Sequence, residues 1–157
     1  MSQPALSNFT AGALCTRIVD VVDRDVSLSA AARLMRDRHV GCLLVVDRTA
    51  WGDTVAGILT DRDIVVAAIA RDLDPRSVSV ADVMTRDTVT VRETDSMLEA
   101  LASMRAHGLR RLPVLGAHGV LVGLLSLDDL LAALAMQVQA LAEAIIVERQ
   151  HEAFERP

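Results

Sequence analysis

The sequence predicts an α/β chain of the α+β type, made of two copies of one strand–helix–strand–strand–helix unit and closed by a long C-terminal helix. Three observations carry this. Short β-branched runs alternate with helical runs, the first half of the chain repeats in the second, and no Gly or Pro interrupts the chain between Leu127 and Pro157.

The repeat is read position by position. A shift of 69 places Thr16-Arg17 on Thr85-Arg86, Val22 on Val91, Ala31 on Ala100, Met35-Arg36 on Met104-Arg105 and Val45 on Val114. Beyond the following loop the shift falls to 66, because that loop is three residues longer in the first copy. Gly57, Leu59, Asp63 and Ala67 then fall on Gly123, Leu125, Asp129 and Ala133. A unit of this size buries too little surface to stand comfortably alone, so the copies are expected to pack as one body with pseudo-two-fold symmetry.

Residues 1–13 are polar and rich in small residues, and read as a loose arm with one helical turn near Leu14. The first unit takes residues 14–76. Residues 18–22 form a β-branched strand, and Ser27 caps a helix carrying Leu28, Ala31, Ala32, Leu34 and Met35 at helical spacing. Gly41 ends it, and residues 42–46 form a fully apolar strand. A polar loop with Trp51, a surface or interface residue, leads to a strand at 55–59; residues 60–71 form the second helix, and Asp74-Pro75 closes the unit. Residues 77–135 repeat this order, and 136–157 are a helical extension. There Leu127, Leu131, Leu134, Val138, Leu141 and Ile145 follow a 4-3-4-3-4 spacing, a heptad-like seam that predicts a homodimer contact.

Composition narrows the function classes. Aromatics are 2% of the chain, so Val, Leu, Ile, Ala and Met must fill the interior. A net charge of −5 argues against a nucleic-acid partner, which needs a basic face. All 16 basic residues are arginine, which removes lysine Schiff-base chemistry and the lysine-containing phosphate loop. Cys15 and Cys42 are too few for a disulfide framework or zinc site and read as near-core residues in a reducing compartment. The first residues lack a secretory pattern, and Gln137, Gln139 and Glu143 interrupt the apolar run at 130–147. The expectation is a cytoplasmic protein without a membrane span. No metal-ligand spacing and no catalytic constellation stands out, so no enzyme is predicted.

Two stretches carry the chemistry: residues 57–63, Gly-Ile-Leu-Thr-Asp-Arg-Asp, and 123–129, Gly-Leu-Leu-Ser-Leu-Asp-Asp. Each has a glycine-led strand, then a hydroxyl residue followed three positions later by aspartate at a helix start. Thr60 with Asp63 and Ser126 with Asp129 also fit a helix capping box, which needs no ligand. The alternative function is therefore a ligand-free oligomerisation or structural module.

These stretches, with Asp82-Val83-Met84-Thr85 and residues 108–114, Gly-Leu-Arg-Arg-Leu-Pro-Val, resemble a tandem pair of CBS domains, named after cystathionine β-synthase. The resemblance covers residues 14–134. It implies a three-stranded sheet and two helices per copy, two clefts between the copies, and a regulatory sensor of adenosine-containing ligands: AMP, ADP or ATP, with S-adenosylmethionine and NAD as further candidates. It implies phosphate contacts from Thr60 and Ser126 and ribose contacts from Asp63 and Asp129.

The residue chemistry agrees with that assignment. A carboxylate accepts hydrogen bonds from both ribose hydroxyls, and a helix N-terminus favours phosphate. Gly57 and Gly123 would let a ligand approach the strand. Adenine is expected near Ile18–Val19 and near Asp87–Val89. Arg62, Arg110 and Arg111 are the candidate phosphate clamps, and His39 and His107 lie at corresponding helix ends. The first copy has Gly41-Cys42 where the second has Arg110-Arg111, so a phosphorylated ligand is expected at the cleft ending in Asp129. A homodimer through the repeat helices and the C-terminal helix, reporting to an unidentified protein effector, completes the expectation.

Overall fold

The computed structural model describes residues 9–155, with side chains through 147; residues 1–8 of the expected arm and 156–157 of the extension lie outside the described residues. The first repeat runs β1 (Val21–Asp23), α2 (Leu28–Arg38), β2 (Cys42–Thr49), β3 (Gly52–Thr60) and α3 (Asp61–Ala67), after a short α1 (Ala11–Leu14). The second runs β4 (Val91–Arg92), α5 (Met97–His107), β5 (Arg111–Leu115), β6 (Leu121–Ser126) and α6 (Leu127–Glu155), after a short α4 (Val80–Val83). Each repeat forms a three-stranded sheet in chain order, its first pair parallel and its second antiparallel. The register slips between Val45 and Val46 and, 69 positions on, between Val114 and Leu115. The duplication extends to the bulge.

The helices start where side chains satisfy the free N–H groups of the first turn. Ser27 Oγ accepts from Ala30 N–H at 3.3 Å, and Ser96 Oγ from Glu99 N–H at 3.2 Å. At the other end α2 closes on His39 in the left-handed region (φ 55°) and α5 on Gly108 (φ 65°). The counterpart of His39 is thus Gly108, and His107 lies one residue inside α5. The 60–71 helix is shorter than expected: α3 stops at Ala67 and tightens into a 3-10 turn, Ile69–Arg71.

The two cores are built from matching positions. The first contains Val22, Ala31, Met35, Leu43, Val45 and Leu59; the second contains Val91, Ala100, Met104, Leu112, Val114 and Leu125. Each core is completed by the segment that precedes the other repeat. Val80 and Met84 fill the first core, while Ala11 and Cys15, 69 positions earlier, fill the second. The sequential boundary at 76/77 is therefore crossed in both directions. Part of the expected loose arm is fixed by it: Ala11 is fully buried, and its N–H donates to Asp95 O at 2.7 Å.

This exchange decides the role of two glycines. Thr16 and Leu124 exchange backbone hydrogen bonds at 3.0 and 2.9 Å, and Ile58 and Thr85 do the same at 3.0 and 2.9 Å. A Cβ on Gly57 would stand 2.6 Å from Thr85 O, and one on Gly123 would stand 2.6 Å from Thr16 O. Gly57 and Gly123 are corrected accordingly. The space over them holds the other repeat's lead segment, and the close approach they permit is protein on protein.

The strand expected at 18–22 begins only at Val21, with Asp20 O accepting from Leu44 N–H at 3.1 Å just ahead of it; Ile18 and Val19 stay outside the ladder, and Ile18 is 91% exposed. Its β-branched run lines the gap between the repeats. α6 continues far past the fold. Leu130 and Ala133 are buried, whereas Leu131, Leu134, Val138, Leu141 and Ile145 are exposed. Its segment Leu127–Val147 is long and apolar enough to cross a membrane by length and composition, although its first turns pack into the second repeat.

Candidate functional site

Both hydroxyl–aspartate pairs form capping boxes. Asp63 Oδ2 accepts from Thr60 N–H at 2.8 Å and from Thr60 Oγ1 at 2.7 Å, while Thr60 Oγ1 accepts from Asp63 N–H at 3.1 Å. Asp129 Oδ2 and Ser126 repeat this at 2.7, 2.7 and 3.1 Å. The boxes occupy one oxygen of each carboxylate. Oδ1 of Asp63 and of Asp129 accepts no protein hydrogen bond among the described residues, which leaves each a charged acceptor for a ligand. The hydroxyl proton is committed to the carboxylate, so phosphate contact requires it to turn.

A cleft of about 320 Å³ lies between the repeats at the Asp129 box. One wall comes from the first repeat: Ile18, Val19 and Asp20 together with His39, Val40, Gly41 and Cys42. The other comes from the second: Arg111, Leu124, Ser126, Asp128 and Asp129. The predicted adenine wall at Ile18–Val19 and the predicted polar end at Ser126–Asp129 thus face one space. The volume sits at the small end of ligand pockets, about 300–1,000 Å³.

Of the candidate clamps, Arg111 lines this cleft and Arg110 does not. Arg110 is the correction: alternation along the strand turns it away, into a groove of about 530 Å³ between α5 and the start of α6. Its carbonyl accepts from Leu127 N–H at 2.9 Å, which holds the backbone in that orientation. Arg62 is exposed in the first turn of α3, where its N–H donates to Asp61 Oδ1 at 2.7 Å. Trp51 lies outside the cleft; its ring stacks on His118, centroids 4.7 Å apart, and joins the hairpin tips of the two repeats.

Three cleft residues were not read as site residues in the sequence. Asp20 follows the exposed Ile18–Val19 pair, His39 closes α2, and Asp128 precedes the box aspartate; only the Asp128-Asp129 doublet gave a signal. The cleft therefore carries Asp20, Asp128 and Asp129 against Arg111. Cys42, half-buried on its wall, has its thiol pushed up by burial, with the charge of Arg111 pulling the other way. Cys42 is the counterpart of Arg111 under the 69-residue shift, so this pair sits close to the internal two-fold axis. Burial likewise raises the Cys15 thiol. Among the described residues no three His, Cys, Asp or Glu side chains come together as metal ligands.

Two small sheets with exchanged lead segments, and a cleft between them ending in a hydroxyl–aspartate box, define a tandem module of two repeats. The family model of the CBS domain matches residues 11–70 and again 80–136, and the chain belongs to the CBS domain family. It is 38% identical over 121 residues, 77% of this chain and 70% of the relative, to an uncharacterized 17.7 kDa protein of Acidianus ambivalens. A solved structure of Hypoxic Response Protein I, which holds two coordinated zinc ions, superposes with a TM-score of 0.67 at 32% identity, covering 78% of this chain and 97% of that one. A hexameric CBS-CP12 protein from bloom-forming cyanobacteria superposes with a TM-score of 0.66 at 25% identity, covering 78% and 66%.

Proposed function

We propose that this protein is a regulatory sensor, not an enzyme, that binds an adenosine-containing nucleotide (AMP, ADP, ATP or a relative) between its two repeats. The cleft at Asp129 carries the reading: an apolar wall for a base, a carboxylate oxygen free for ribose hydroxyls, and an arginine beside a helix N-terminus. The ligand touches both repeats, so it can favour one arrangement of the pair over another, and a protein effector would read that shift. The module would act in the cytoplasm as a homodimer joined through the helices of its repeats.

Calorimetry with AMP, ADP, ATP, NAD and S-adenosylmethionine tests this on the wild type and on Asp63→Asn and Asp129→Asn. Asparagine keeps an acceptor for the box and removes the charge, so binding is tested apart from capping. A dissociation constant below about 1 mM that at least one substitution weakens is expected. No binding, or binding indifferent to both, sinks the reading.

A second reading, a structural module without ligand, has one specific observation behind it. The same box geometry occurs away from the cleft, at Ser79–Asp82 and Ser96–Glu99. Boxes therefore form here for helix capping alone, and the free carboxylate oxygen facing a cleft is what separates Asp129 from them.

A further inference from the structure

We propose that α6, from Leu131 to Ile145, pairs with α6 of a second copy as a parallel two-stranded coiled coil. The family model ends at residue 136, whereas α6 runs to Glu155. Across the end of the match Leu134 and Leu141 take the d positions and Val138 and Ile145 the a positions, with Leu131 at the first a. Leucine at d with β-branched residues at a selects two parallel strands. Between Leu131 and Ile145 positions e and g hold Ala135, Ala142, Gln137 and Ala144, so no charge opposes a second copy there, and Glu148 at the next d position ends the seam. The pair Gln139–Glu143, bonded at 3.0 Å, lies on the outer face. Val138 and Leu141 are each 66% exposed, so the seam is uncovered in the single chain.

Two other occupants fit less well. Residues 1–8 supply only Met1 and Leu6 as large apolar side chains, too little to cover the seam. A lipid surface would need cations near the helix, yet no Arg or Lys occurs between Arg111 and Arg149, and Asp128, Asp129 and Glu143 repel anionic headgroups.

Size places the rest of the interface. The apolar segment Leu127–Val147 is about 32 Å long and roughly 10 Å wide, a footprint near 300 Å². A stable interface takes about 800 Å² from each partner. The missing area lies next to the seam. Leu131 is one turn beyond Leu127, which lines the apolar groove beside α5 with Leu98, Leu101 and Leu109. Seam and groove are one continuous surface.

The inference rests on the homodimer reading and is independent of the nucleotide. Light scattering on the full chain should give a particle of twice the 16.9 kDa chain mass. Val138→Glu with Leu141→Glu should weaken dimerisation at least 100-fold while the thermal transition of the repeats persists, because both side chains lie outside both cores. Leu134→Cys and Ile145→Cys, made singly, should each cross-link to themselves under mild oxidation, with the wild type controlling for Cys15 and Cys42. A monomeric wild type overturns the dimer altogether. A double variant that stays dimeric overturns the coil and leaves dimerisation through the repeat helices standing. Cross-linking only in a mixture of the two cysteine variants indicates antiparallel strands and overturns it. So does co-sedimentation with phosphatidylcholine vesicles in place of a dimer.

Discussion

Asp63 and Asp129 sit in boxes whose bonds agree to within 0.1 Å, on strands that pair alike, yet the residues at matching positions beside them differ in charge. Beside Asp129 the cleft holds Asp128; the counterpart beside Asp63 is Arg62. On the facing wall Gly41 and Cys42 look towards Asp129, and their counterparts are Arg110 and Arg111. Asp20 has Val89 as its counterpart. The duplication therefore made one backbone site twice, and single substitutions have since assigned charge to each. On Coulomb grounds Arg62 favours phosphate beside Asp63, while at the Asp129 cleft Arg111 favours it and Asp20 and Asp128 oppose it. Arg111 lines the Asp129 cleft, while Arg110 turns into the groove beside α5.

The largest expected effect asks whether the halves are separable at all. Leu43 and Leu112 are fully buried counterparts, one in each core. Truncation of either to alanine should cost about 2–5 kcal/mol. Because each core contains the other's lead segment, both variants should lower a single unfolding transition seen by calorimetry. Two separate transitions would show that the exchange does not couple the repeats.

The charge comparison is tested by ligand. Arg62→Ala should weaken AMP binding by about 1.5–3 kcal/mol, roughly 10–100-fold, if its guanidinium meets phosphate. Asp128→Ala should strengthen AMP binding at the other cleft by removing a like charge, and leave adenosine unaffected. Titrations in which neither substitution separates AMP from adenosine would erase the distinction between the clefts.

Gly57→Ala and Gly123→Ala probe the packing that both clefts share. In each a backbone oxygen of the other repeat stands 2.6 Å from the new Cβ, so the lead segment must move. A loss of about 1–3 kcal/mol is expected for both, read as a lower denaturation midpoint. A neutral result at either glycine would show that its lead segment is loosely held.

Much of this was legible because it repeats. Hydrophobic identities at Val22/Val91, Ala31/Ala100 and Leu59/Leu125 gave the units, and Ser27 gave the start of α2 without further help. The exchange of lead segments was not legible. Ala11, Cys15, Val80 and Met84 look like ordinary apolar residues ahead of each unit, and nothing local says which core receives them. The same holds for Ile18: a β-branched run reads as a strand, but whether it joins a ladder or lines a gap depends on the other repeat. Asp20, and His39 beyond its place at a helix end, were not read as site residues for that reason. They become site residues only across the interface, while Thr60, Asp63, Ser126 and Asp129 announce themselves by spacing within one segment.

The smallest effect concerns the boxes that face no cleft, where the repeats also differ. Ser79–Asp82 caps α4 and Ser96–Glu99 caps α5, but at the counterpart positions, Thr10–Ala13 and Ser27–Ala30, the carboxylate is missing. Asp82 is held below the usual carboxylate range chiefly by the Ser79 hydroxyl, and Glu99 chiefly by the Ser96 N–H. A carboxylate whose folded value is depressed stabilises the fold fully above its unfolded value, about 3.9 for Asp and 4.3 for Glu. That contribution is lost as the pH falls through the lower folded value. Between pH 5 and pH 3, on the order of the range these values span, Asp82→Asn and Glu99→Gln should each lose less stability than the wild type, measured as denaturation midpoint against pH. At pH 7 both should be slightly less stable than the wild type. Because α4 packs on the first core and α5 on the second, either substitution should flatten the same acid limb of one shared transition. A limb as steep as the wild type's in both variants would mean that the boxes keep their carboxylates without stabilising the folded state.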